Sequence, residues 1–296
     1  MFNKFKLLAK RALILNPTKA NYKFVLKDWT SLKDLNILSK VLETKRFSQN
    51  IDPVIMSCPV AKNVLVIAPH PDDDVFSSGG TIYHLIQNGS YVKVIYLTSG
   101  SHKVYKDEDS QLLSESVVEL EKETKKVSGR LGTDIDFWRF PNRGIKINEE
   151  TINRLQKVYS EVKPDCIFLP FLADDHDDHR RSVELFYKSF KNVSPFRCEV
   201  WSYQIYSTVL PNVVIDITDI IENKLKLINL WESQRKSRDW AHYIRGLNAF
   251  NSRFLKTNQP RYAEVFFVVP AEEYLELCGR YFAYPERDLY YSDSYK

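Results

Sequence analysis

The 296-residue chain predicts an α/β fold: a Rossmann-like, three-layer αβα arrangement around a mainly parallel sheet, with a helical N-terminal extension. Three observations predict it. Apolar runs of strand length, rich in Val and Ile, recur from Asn63 onward and read as strands buried on both faces. Helical patterns separate these runs, the alternation expected of right-handed βαβ units. Clusters of His and Asp directly follow two of the runs, at the strand ends where open α/β sheets place their ligand sites.

Residues 1–60 are set apart by charge, with eleven Lys/Arg against four Asp/Glu. Phe2, Phe5, Leu8, Ala9, Ala12 and Leu13 recur at helical spacing, with Lys4, Lys6, Lys10 and Arg11 around them. Two readings stand: a surface helix packed on the domain, or an interfacial helix in peripheral contact with anionic lipid. Ile51 to Pro59 reads as a linker. Strands are then expected at Asn63–Ala68, Tyr91–Thr98, Ile135–Phe140 and Asp165–Leu169. Helical patterns fall near Gly80–Gln87, Ser110–Leu131, Glu149–Glu161 and His179–Phe190. Past Pro195 the pattern changes to strands at Cys198–Tyr206 and Val213–Ile217. A long helix from about Asp219 to Trp240 and a last strand at Tyr262–Val269 follow. The domain so defined spans 61–280, and residues 281–296 form an aromatic, charged tail.

Composition narrows the function. The net charge of +4 is concentrated in residues 1–60, so the remainder is slightly acidic, and the polar clusters are acidic too. A nucleic-acid partner is not expected on that ground. Cys58, Cys166, Cys198 and Cys278 are scattered without a CxxC pair, which favours a reducing compartment over a disulfide framework. No run approaches the roughly 20 apolar residues of a membrane span. Lys10 and Arg11 interrupt the first apolar run and no small-residue cleavage site follows it, so a cytoplasmic protein without a signal peptide is expected.

The first cluster is His70-Pro71-Asp72-Asp73-Asp74, after Val64–Ala68. The second is Asp174-Asp175-His176-Asp177-Asp178-His179, after Cys166–Pro170. His70 and Asp73, three residues apart in a turn that opens a helix, can reach one spot. Zinc takes His nitrogen and carboxylate oxygen at about 2.0–2.2 Å, and a catalytic site uses three protein ligands plus water. His70, Asp73 and one residue of the second cluster would supply such a set. His179, opening the next helix, is the natural third. Asp72 is left to take a proton, and His176 to polarise a carbonyl or protonate a leaving group. The ordinary alternatives are that Asp178 and Asp74 cap their helices and that Asp175 and Asp177 are solvated charges. Gly79-Gly80 belongs to no phosphate loop and reads as a site of close helix–strand approach. No G-x-S-x-G elbow occurs.

These residues resemble a known family. Pro69-His70-Pro71-Asp72-Asp73-Asp74 is similar to the A-H-P-D-D-E motif of the PIG-L/LmbE-like zinc deacetylases, and His176-Asp177-Asp178-His179 to their H-x-D-H. Gly79-Gly80-Thr81, the strand ending Thr98-Ser99-Gly100, Asp216-Ile217-Thr218-Asp219, Lys224, Ser233-Gln234 and Tyr262-Ala263-Glu264 follow the family pattern in order. The resemblance implies zinc on His70, Asp73 and His179, Asp72 as general base, and a protonated His176 on the oxyanion, oriented by Asp178. It implies removal of an acetyl group from an N-acetylglucosamine-type sugar or sugar conjugate. The departures are Pro69 for Ala, Asp74 for Glu, Asp177 where Pro is common, Trp231 where His is frequent, and no arginine near Glu119–Glu123. Arg143 or Lys103 is the expected substitute for that arginine. Two other readings stand beside the deacetylase: a metal-dependent hydratase or lyase on the same fold, and a noncatalytic sugar-binding protein.

Overall fold

The computed structural model describes residues 40–41, 43–45, 52–100, 115–193, 197–236 and 238–283. The chain divides into two units, Met1–Glu43 and Thr44–Lys296. In the first, Lys40 Nζ pairs with Glu43 at 2.7 Å. The expected N-terminal helix, Lys103 and the tail beyond residue 283 lie outside the described residues.

In the second unit, eight described strands form one sheet: β1 (Val54–Met56), β2 (Asn63–Ala68), β3 (Tyr91–Thr98), β4 (Asp134–Phe140), β5 (Cys166–Pro170), β6 (Glu199–Tyr203), β7 (Val213–Asp216) and β8 (Ala263–Pro270). Their order is β1-β7-β8-β6-β5-β2-β3-β4. All neighbouring pairs are parallel except those of β8, which runs antiparallel to both β6 and β7. Val64 through Ala68 are fully buried, as a central strand covered by helices requires. The segment 51–59, expected as a linker, instead contributes β1. Its three residues take their sheet position from pairing with β7, and so short a strand leaves little periodicity to read.

Eight described helices join the strands: α1 (Asp73–Gln87), α2 (Glu115–Leu131), α3 (Glu149–Val162), α4 (Asp177–Phe190), α5 (Ile221–Ile228), α6 (Glu232–Arg235), α7 (Trp240–Asn251) and α8 (Ala271–Phe282). Helix α1 begins two turns earlier than its apolar pattern suggests. Its first turns bury Asp73, Asp74, Ser77, Ser78, Gly79 and Gly80, which carry no hydrophobic signal. Gly80 is needed for the close approach: a Cβ there would lie 2.6 Å from Ile217 Cγ2.

That approach is secured by a buried ion pair. Lys224 on α5 and Glu264 on β8 are each 1% exposed, and Lys224 Nζ lies 2.6 Å from Glu264 Oε1. The carboxylate also accepts from the N–H groups of Gly80 and Thr81, both at 2.8 Å, and from the Thr81 hydroxyl at 2.6 Å. The ammonium donates to the Phe76 carbonyl at 3.0 Å and to Asn248 Oδ1 at 3.1 Å. Burial pulls the Lys224 ammonium down, against the pull of Glu264 in the other direction. Both charges are thus bonded into the backbone of α1, which is what makes their burial tolerable.

The long helix expected over 219–240 is instead α5, α6 and the start of α7. The break turns Trp231 into the core, fully buried, where its Nε1 donates to Thr124 Oγ1 at 3.1 Å. It also sets Ser233 on Glu123, the N–H at 3.0 Å and the hydroxyl at 2.5 Å. Tertiary contacts of this kind override helical propensity. Helix α8, unpredicted, closes the chain after β8 and buries Tyr274, Leu275, Leu277 and Cys278. Replacing Lys224 by Met should lower unfolding stability by about 3–5 kcal/mol in urea titrations, because the Glu264 charge is left buried without its cation. A loss below about 1 kcal/mol would contradict the clamp.

Candidate functional site

The two clusters meet at the carboxyl ends of β2 and β5, which are hydrogen-bonded neighbours. The turn after β2 is closed by the backbone, with Asp72 and Asp73 N–H groups donating to the His70 carbonyl at 2.9 and 3.3 Å. Asp73 is thereby aimed back at His70, whose N–H it accepts at 2.8 Å. The Oδ2 of Asp73 lies 3.0 Å from His70 Nδ1 and 3.3 Å from His179 Nε2. A tetrahedral zinc with bonds of about 2.0–2.1 Å separates its ligand atoms by about 3.3 Å. Asp73 and His179 are buried, and His179 Nε2 has no aligned hydrogen-bond partner. An orphaned buried nitrogen beside a carboxylate and a second imidazole fits a ligand set for one cation.

Each of these imidazoles is backed by a second carboxylate. Asp178 Oδ2 is 3.1 Å from His70 Nε2, and Asp174 Oδ1 is 3.1 Å from His179 Nδ1. Such partners fix ring orientation and raise ligand basicity. Asp178 is itself held by the Arg143 N–H, 2.9 Å from both carboxylate oxygens, and Arg143 adopts a left-handed φ of 60° to present that N–H. A non-glycine residue there costs about 1 kcal/mol or more. Asp174 also accepts from the His176 N–H at 3.0 Å.

His176 is close enough to count as a third imidazole ligand, with donor atoms of His70, His176 and His179 all within 4.8 Å of one another. Its hydrogen bonding argues otherwise. His176 is the N-cap of α4, and its Nδ1 accepts the Asp178 N–H at 3.1 Å. A neutral imidazole has one in-plane lone pair, so the proton stays on Nε2 and that nitrogen is a donor. The expected orientation of His176 by the Asp178 side chain is corrected here: that carboxylate backs His70 and lies 4.0 Å from His176 Nδ1, while the Asp178 backbone steers His176.

The electrostatics follow from crowding four carboxylates and three imidazoles. Burial pushes Asp73 up, but the imidazoles of His179 and His70 outweigh it and hold its carboxyl well below the usual range. Burial lowers His70, yet the Asp73 charge and the bonds to Asp178 and Asp73 carry it up to about 10. His179 is treated likewise by Asp73 and Asp174 and reaches about 9. Asp72 is pushed up to about 7, by burial first and the Asp73 charge second. Asp72 is the N-cap residue of α1, yet its side chain caps nothing. His176 is lowered by burial and by the charges of His70 and His179.

The other cluster members serve structure. Asp74 does not cap its helix but is buried under the Tyr96 hydroxyl, which donates to it at 3.0 Å. Asp177 pairs with Arg180 at 2.8 Å, and Asp175 is exposed. Arg143 reaches the site through its backbone N–H, and its side chain is exposed. Two functional neighbours were missed. Asp174 was inside the quoted cluster without a role, though the need of a ligating His for a carboxylate on its other nitrogen points to it. Tyr206, past the end of β6, carries no sequence signal. Its ring stacks on His176 at 5.8 Å and lies 5.3 Å from His179.

Fold and site together define an αβα protein with a two-His, carboxylate-centred cluster able to hold a cation at the ends of a parallel sheet. Residues 65–189 match the PIG-L family, described as GlcNAc-PI de-N-acetylase. It is 28% identical over 233 residues to the diacetylchitobiose deacetylase of Thermococcus kodakarensis, covering 73% of this chain and 86% of that one. Among solved structures it is similar to the N,N'-diacetylchitobiose deacetylase of Pyrococcus horikoshii, at 29% identity and a TM-score of 0.59 over 71% of this chain and 84% of that one. It is also 23% identical to the 4-oxalmesaconate hydratase of Pseudomonas putida, over 62% of this chain and 78% of that one.

The tautomer of His176 is directly measurable. Long-range ¹H–¹⁵N correlation spectra should show a protonated Nε2 and a bare, hydrogen-bond-accepting Nδ1. The reverse pattern would mean that the Asp178 N–H does not hold the ring.

Proposed function

We propose that the protein is a zinc-dependent hydrolase that removes the N-acetyl group from an N-acetylglucosamine-type sugar or sugar conjugate. The observation that carries this is the division of labour around Asp73. Two imidazoles flank that carboxylate, while a carboxylate without a capping bond, Asp72, and a proton-bearing imidazole, His176, stand beside it. His70, Asp73 and His179 would hold the zinc. Bound there, zinc would supply Lewis acidity towards the amide carbonyl and make water a competent nucleophile near neutral pH. Asp72, raised towards neutrality by burial, accepts the proton of the attacking water and returns it to the departing amine. His176 Nε2–H donates to the carbonyl oxygen as it gains charge, acting as a neutral donor because burial and the positive charge of the adjoining cation site disfavour its imidazolium. Asp178 and Asp174 keep the two ligand imidazoles oriented.

The names of the relatives support an N-acetylated sugar as substrate, and the same carboxylate–imidazole pair could serve the hydratase chemistry named for one of them. Release of acetate separates the two. A cytoplasmic location belongs to the same proposal and rests on cysteine usage, and peripheral membrane contact through residues 1–60 rests on their charge. Among the described residues no helix is long and apolar enough to cross a membrane.

The zinc-loaded protein should release acetate from N-acetylated amino sugars. Asp72→Asn should lower kcat by about 10²–10⁴ with the metal retained. His176→Ala should lower kcat by about 10²–10³ with little change in KM. Full turnover in Asp72→Asn would remove Asp72 as the base, and a hydrated alkene product without acetate would favour the hydratase.

A further inference from the structure

We propose that the exposed flank of α7 docks on a membrane surface rich in anionic lipid, lying in the headgroup layer with aromatic rings turned inward and an arginine at each end. The inference goes beyond the amide chemistry above and does not depend on it.

Helix α7 divides its side chains in an unusual way. Its buried residues are Ile244, Asn248 and Asn251, so the face that meets the domain is mostly polar. Hydrogen bonds hold it there. Asn248 accepts from Lys224 at 3.1 Å and donates to the Ala263 carbonyl at 3.0 Å, and Asn251 donates to Gln204 at 3.2 Å. The aromatic residues lie on the adjoining flank, the reverse of an ordinary surface helix. Trp240, Tyr243, Leu247 and Phe250 recur there at helical spacing, with Tyr243 55% and Phe250 58% exposed. A Cβ on Gly246, beside this row, would meet nothing within 4 Å, so the flank stands open.

An arginine is laid on the rings at each end of the row. The Arg238 guanidinium carbon is 5.0 Å from the centroid of Trp240 and 5.4 Å from that of Tyr243. That of Arg253 is 4.0 Å from Phe250 and 4.2 Å from Phe254. Charge then selects the occupant. Residues 235–256 contain six Lys/Arg and one Asp/Glu. That one acid, Asp239, caps α7 through the His242 N–H at 3.0 Å. Arg245 and Lys256 pair with Glu222 and Asp52. Among the described residues no carboxylate pairs with Arg235, Lys236, Arg238 or Arg253. Cations around a row of half-exposed rings match an anionic bilayer, where the rings enter the headgroup layer and each Lys/Arg adds attraction. A second copy of the chain would set this positive flank against itself. A nucleic acid would stack its bases on ring faces that the guanidiniums already cover. Twelve residues are too few for a span, so α7 lies on the surface.

The test is co-sedimentation of the full-length protein with vesicles of phosphatidylcholine, alone or mixed equally with phosphatidylglycerol. The protein should sediment with the mixed vesicles in a salt-sensitive manner, and little with phosphatidylcholine alone. Arg238→Gln with Arg253→Gln, and separately Tyr243→Ser with Phe250→Ser, should each lower partitioning about tenfold or more. All four side chains are exposed, so both variants should melt as the unsubstituted protein does. Lys157→Gln with Lys163→Gln removes two exposed charges on and just after α3 and should leave partitioning unchanged. An equal loss in that control would mean diffuse charge attraction and would overturn the inference. Absence of binding to the mixed vesicles would overturn it too. So would either α7 variant binding as tightly as the unsubstituted protein, which would move membrane contact to residues 1–60. A dimer dissolved by Tyr243→Ser with Phe250→Ser, in place of vesicle binding, would assign the flank to a second copy and contradict the lipid assignment.

Discussion

The position of the first turn of α1 depends on one interaction, the carboxylate of Glu264 bonded to the backbone N–H groups of Gly80 and Thr81 and neutralised by Lys224. A helix this polar in its first turns has little hydrophobic reason to lie so deep. The ion pair supplies the missing hold, and Gly80 supplies the clearance against Ile217. With α1 fixed, Asp72, Asp73 and Asp74 are delivered to one place at the end of β2. Each then has a different fate: Asp73 is shared between imidazoles, Asp74 is tied to Tyr96, and Asp72 is left without a capping bond.

In the proposed mechanism, the site built on that turn separates ligand chemistry from proton chemistry by hydrogen bonding alone. His70 and His179 each point one nitrogen at Asp73 and lean the other on a carboxylate. His176 spends its lone pair on the Asp178 N–H and keeps a proton to give. Three histidines within a few ångströms are thus assigned two functions in the proposal, set by which nitrogen the backbone occupies.

Much of this was legible beforehand. Strands β2 and β3 were expected at their observed limits because parallel central strands are continuous apolar runs. The two clusters were expected to meet because both follow such strands. What was hidden depends on tertiary structure. The start of α1 carries buried polar and glycine residues whose burial no hydropathy pattern reveals, and β1 exists only through its pairing with β7. The helix break at Trp231 is driven by a hydrogen bond to Thr124 more than a hundred residues away. The roles of Asp174 and Asp178 turn on which nitrogen of which ring each faces, a matter of ångströms that spacing along the chain does not encode.

The central claim, a cation held by His70, Asp73 and His179 with His176 standing apart, is tested most directly by metal content. Mass spectrometry of the purified protein would be compared with Asp73→Ala and His176→Ala. The account predicts about one zinc per chain in the unsubstituted protein, lost in Asp73→Ala and kept in His176→Ala. Zinc kept in Asp73→Ala and lost in His176→Ala would mean a three-histidine site, and would contradict both the ligand set and the donor role of His176.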